Sequence, residues 1–140
     1  MEKKLPKIIF IEVKKSLEKI IKIIQIAKWY FEKSYSNPSL KKNLIFLVSD
    51  EKSKKFVDDL LWKEPKISFI PHSIDIFDFI TITKKELEAN YIFNLTENPI
   101  SILPKEIIYE FDDQTEPKKI KISKKKFKFY KEKSLSIESR

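Results

Sequence analysis

Lys7-Ile8-Ile9-Phe10-Ile11-Glu12-Val13 decides the fold. Its apolar residues come almost without interruption, and they do not alternate. Such a run suits a strand covered on both faces, as strands of parallel sheets are. Immediately downstream, Ser16 is a candidate helix cap, and Glu18 in the first turn suits the helix dipole. Leu17, Ile20, Ile21, Ile24, Ala27 and Phe31 then recur at helical spacing, and Asn37-Pro38 should end the helix. Leu44 to Val48 is a second unbroken apolar run. Ser49-Asp50-Glu51 would cap a second helix with Phe56, Val57, Leu60 and Leu61 as its buried stripe. Strand, helix, strand, helix in this order predicts a parallel sheet with right-handed crossovers.

Further along, Pro65 and Pro71 bracket Ile67 to Ile70, a very short strand candidate. Phe79 to Thr83, Tyr91 to Leu95 and Ile107 to Phe111 are three more. Asp112-Asp113 begins a turn, and Pro117 can open a last helix. In that last segment Ile120, Ile122, Phe127 and Phe129 also alternate like a strand. A helix is favoured, because lysines spread around a helix repel one another less than in a flat ladder. Residues 1–134 are therefore expected to form a single α/β domain, with 135–140 as a frayed C-terminal tail.

The 140 residues contain no cysteine and no glycine. Disulfides and thiolate metal sites are excluded, and so are the glycine-rich dinucleotide fingerprint and the phosphate loop. Turns needing positive φ should use asparagine, at Asn37, Asn43, Asn90, Asn94 or Asn98, or be longer. No apolar stretch approaches bilayer-spanning length, and the start lacks a signal-peptide apolar run, so a cytoplasmic protein is expected.

The charge is concentrated. The chain carries a formal +8, and the segment from Lys118 to Lys133, with nine lysines and the single acid Glu132, accounts for all of it. Ile120, Ile122, Phe127, Phe129 and Tyr130 lie among those lysines. Cations beside apolar rings suit a nucleic acid or an acidic peptide with hydrophobic residues.

Catalytic chemistry has little to build on. His72 is the one histidine, and a nucleophile–base pair would need it. Asp50 and Asp112, at the carboxyl edge of the sheet, would suit a Mg²⁺ site of nuclease type. A helix cap and a turn are the favoured roles for them.

The stretch Val57-Asp58-Asp59-Leu60-Leu61-Trp62, followed after a spacer by Ser68-Phe69-Ile70-Pro71-His72, resembles the chi subunit of bacterial DNA polymerase III. Members of that family show a leucine-tryptophan closing the second helix, then phenylalanine, an apolar residue, proline and histidine. Ala27-Lys28-Trp29-Tyr30, Leu44 to Val48 with Asp50-Glu51, Ile92 to Thr96, and Lys124 to Tyr130 resemble other parts of the family pattern. The resemblance implies a three-layer Rossmann-like α/β fold, mostly parallel, with no nucleotide, metal or other cofactor and no active site. It implies an adaptor, as monomer or heterodimer, that joins the clamp loader to single-stranded DNA-binding protein and so meets DNA indirectly. Such an adaptor grips the partner's acidic, aromatic-ended C-terminal tail. Lys124 and Phe127 match family positions at the tail site, and Lys128 and Lys121 would add charge. Trp62, Phe69 and Pro71 match the contact with the psi subunit. Direct binding of single-stranded nucleic acid by the same segment is the alternative. Ser73 and Lys133-Ser134 replace residues that are commonly glycine (or asparagine) in relatives, and Ile120 takes a position that is often basic.

Overall fold

The computed structural model describes residues 5–36, 42–63, 73–74 and 80–140, with backbone alone for 34–36, 62–63 and 73–74. The chain runs β1 (Lys7–Val13), α1 (Ser16–Ser36), β2 (Leu44–Leu47), α2 (Glu51–Lys63), β3 (Ser73–Ile74), β4 (Ile80–Thr83), β5 (Tyr91–Asn94), β6 (Ile107–Asp113), α3 (Pro117–Glu132) and β7 (Ser136–Ser139). The seven described strands form one sheet in the order β3-β4-β2-β5-β6-β1-β7. Every described pairing is parallel. Three helices cover its two faces, which makes a three-layer Rossmann-like α/β fold.

The apolar runs are explained by this double cover. In β1, Ile9, Ile11 and Val13 enter the core shared with α1 and α2, while Ile8 and Phe10 enter the core under α3. Lys7 and Glu12 alone in that strand are exposed. All four residues of β2, of β4 and of β5 are buried. Removing each large aliphatic side chain from water contributes about 1.5–3 kcal/mol.

Several local expectations are corrected. Along α1 the buried line is Ile23, Ala27 and Tyr30, spaced by four and three, and Leu17 is 64% exposed. The Tyr30 hydroxyl meets the Tyr109 hydroxyl at 2.6 Å, which fixes the roll of the helix and turns Leu17 and Ile21 outward. Ser16 is already helical. Glu18 satisfies the start instead, accepting the Lys14 and Lys15 amides at 2.7 and 2.9 Å. On α2, Val57 and Leu61 are buried one turn apart and Phe56, about 100° around the helix from Val57, is 52% exposed.

The expected frayed tail is an ordered strand. Residues of β7 pair with β1 in register Lys7↔Ser136 through Phe10↔Ser139. Two further bonds, Glu12 N–H to Arg140 and Arg140 N–H to Phe10, each of 2.8 Å, close the end. Leu135 is buried beneath α3 and anchors the strand. The glycine-free turns are also resolved differently from the asparagine expectation. Among the described residues only Ser134 has positive φ, at 58°. It closes α3: the Ser134 amide bonds Lys131 O and the Leu135 amide bonds Tyr130 O, at 3.0 and 3.2 Å, a Schellman pattern that usually takes glycine. The candidate strand Ile67 to Ile70 lies outside the described residues.

Candidate interaction site

The ambiguous last segment is helical from Pro117 to Glu132, with proline in its first turn. A helix this rich in lysine needs an apolar or well-paired inner face to dock, and Ser123, Lys126 and Tyr130 provide it. They are spaced by three and four, so they share one line along the helix. Lys121, Lys124 and Lys128 are exposed on the other side, again at spacings of three and four, and Phe127 lies at the border between the two sides. The Phe127 ring is 39% exposed, and its inner edge packs 5.6 Å from the Phe10 ring. Lys128 stands 4.0 Å from Glu132 in an exposed pair worth a few tenths of a kcal/mol at most. All four candidate tail-contact residues are therefore exposed on α3, and Lys124 is the cation one turn from the half-open Phe127 ring.

The patch is smaller than the sequence implies. Lys126 is not on the surface: it is 6% exposed and bonds Glu110 at 2.9 Å and the Thr96 carbonyl at 2.5 Å. Tyr130 has no exposure and donates to Glu110 Oε2 at 2.5 Å, while its oxygen accepts the Ile100 amide at 2.8 Å. Asn94 Nδ2 adds a third donor to Glu110 at 2.7 Å. Phe129 is partly buried against the same core. Of the three aromatics in the segment, Phe127 is the exposed one. Burial pushes the Glu110 carboxyl up from its ordinary range, and the Lys126 ammonium with the Tyr130 and Asn94 donors opposes it. Burial, then the neighbouring Glu110, also raises the Tyr130 phenol. This cluster was not anticipated. Its signal in the sequence is Glu110 inside the apolar run Ile107 to Phe111.

The carboxylates weighed for metal chemistry have local roles. Asp50 Oδ1 accepts the Ser53 amide at 2.7 Å, which caps α2 and holds its carboxyl below the usual range. Asp112 accepts from the Gln114 side chain at 2.6 Å. Asp113 accepts from the Thr115 amide and hydroxyl and pairs with Lys19 at 2.5 Å. Burial alone would raise the Asp113 carboxyl; those partners outweigh it and lower it. Among the described residues no three of His, Cys, Asp and Glu come together as a metal site.

The backbone places Trp62 in the last turn of α2. Phe69, Pro71 and His72 lie outside the described residues. No described helix is long and apolar enough to cross a membrane.

Parallel three-layer topology, with no glycine phosphate loop and a last helix that exposes lysines and Phe127, defines an α/β domain of Rossmann-like type. The sequence model of the family described as DNA polymerase III chi subunit, HolC, matches residues 12–138. The chain belongs to that family, whose members are accessory subunits of DNA polymerase III. A search of curated proteins finds no match.

Proposed function

We propose that this chi-family subunit is a non-catalytic adaptor that links the clamp loader to single-stranded DNA-binding protein by holding that protein's acidic C-terminal tail. The exposed side of α3 carries the reading: Lys121, Lys124 and Lys128 are exposed on it, and Lys124 lies one turn before the half-open Phe127 ring. A carboxylate-rich tail meets the ammonium groups as point charges, and its terminal aromatic side chain packs on Phe127. The family assignment supports the reading, since an accessory subunit works through contacts. Trp62, with Phe69 and Pro71, supplies a second contact for a psi-type or clamp-loader subunit, so the protein acts as a monomer or within a heterodimer. Direct stacking of single-stranded bases is less well served, because Tyr130 is buried and Phe129 is partly so.

The test is fluorescence anisotropy with a labelled acidic peptide ending in phenylalanine. Wild type is expected to bind in the micromolar range, with affinity falling as salt rises. Lys124→Glu should weaken binding about tenfold or more, equivalent to about 1.4 kcal/mol. Equal binding by the variant would remove α3 as the site. An oligonucleotide that binds where the peptide does not would favour the nucleic-acid reading.

A further inference from the structure

A groove of about 810 Å³ opens on the face of the sheet opposite α3, between α1 and the β1–β7 edge. At its edge β7 carries Ser136 and Glu138 in register with Lys7 and Ile9. The floor is aromatic. Tyr30 and Tyr91 stand 4.4 Å apart by ring centroid, and Tyr109 bonds Tyr30. Trp29, 52% exposed, meets the Tyr30 ring edge-on at 4.6 Å, and Leu5 is 54% exposed beside the same groove. A half-exposed tryptophan over buried tyrosines is a contact composition, since Trp and Tyr dominate binding energy at protein interfaces.

The rim is positive. Lys7, Lys22, Lys33, Lys42 and Arg140 line the groove against Glu12 and Glu106. Glu138 is shared between Lys7 and Arg140, so it neutralises only part of that excess. Lys33 Nζ stands 4.6 Å from the Trp29 ring centroid, a cation already placed beside the exposed ring. Among the described residues Lys22, on the same helix, forms no ion pair.

We propose that this groove binds an acidic peptide carrying an aromatic side chain, at a site separate from the α3 face. The ligand's ring packs on the exposed part of Trp29, and its carboxylates meet Lys22 and Lys33. Because α3 offers similar chemistry on the other face of the sheet, one chain would hold two such peptides. The inference does not need the α3 assignment to be right.

Isothermal titration and the Trp29 indole N–H resonance test it, with the same phenylalanine-ended acidic peptide as probe. Two binding events are expected, and the indole resonance should shift on titration. Trp29→Ala, and independently Lys22→Glu, should weaken one event about tenfold and spare the event lost in Lys124→Glu. Should both groove variants leave the isotherm unchanged, the inference is overturned. It is equally overturned if oligothymidylate, and not the peptide, shifts the indole. If the groove variants lose binding while Lys124→Glu does not, the groove stands and the α3 assignment falls.

Discussion

Glu110 is a carboxylate with no solvent exposure in the middle of β6, and its three donors come from β5 and α3. Losing one member of such a pair costs more than losing both, because the survivor is left charged and dry. Glu110→Gln should therefore destabilise the fold by about 3–5 kcal/mol, and Glu110→Leu combined with Lys126→Met should recover much of that. Urea unfolding checks both, and a single-variant loss below about 1 kcal/mol would contradict the ion pair. Ser134 makes the opposite prediction. Its φ of 58° is one that a β-carbon disfavours. Ser134→Gly should stabilise by about 0.5–1 kcal/mol, read as a raised urea midpoint at unchanged slope.

Among the elements, legibility in the sequence followed burial. β1, β2 and β5 announce themselves as largely apolar runs because both faces are covered, whereas β4 alternates as Ile80-Thr81-Ile82-Thr83 and β6 carries Glu110 within its apolar residues. β7 looks like a loose tail in the sequence because Ser136-Ile137-Glu138-Ser139 is a short edge strand with one apolar residue. What holds it is pairing with β1 and the Leu135 anchor, and neither has a local signal. The same limit governed the helices. Periodicity locates α1 and α2 but not their roll: Leu17, at the α1 spacing, and Phe56, in the expected buried stripe of α2, are both exposed, since roll is set by partners far away in sequence, such as Tyr109 for Tyr30. On α3 the concentration of lysines beside aromatics is legible, but the quartet Lys121, Lys124, Phe127 and Lys128 comes from the family resemblance rather than from the helical pattern. Lys126 was not separable from its neighbours without knowing that Glu110 lies beneath it. Deleting residues 136–140 should cost about 2–4 kcal/mol, at about 1 kcal/mol net for each lost ladder bond. It should also leave the β1 edge open to aggregation, visible by light scattering. A variant as stable and as monodisperse as the intact chain would show β7 to be dispensable.

For the whole molecule, the sheet separates two surfaces. α3 faces one way with its lysines and Phe127, and the Trp29 groove faces the other. Buried pairing between Lys126 and Glu110 fixes the first surface to the sheet, so the cationic side is presented on a rigid element. The formal +8 of the chain is partly inside the protein, and the charge available to a partner is that of the remaining exposed lysines. Such a surface attracts anionic partners at long range, more weakly as salt rises. Hydrogen–deuterium exchange of the chain with and without full-length single-stranded DNA-binding protein tests this most directly. Protection spanning Lys121 to Lys128 on complex formation is the predicted result. Unchanged exchange throughout α3, in a complex shown to form, would contradict the adaptor site.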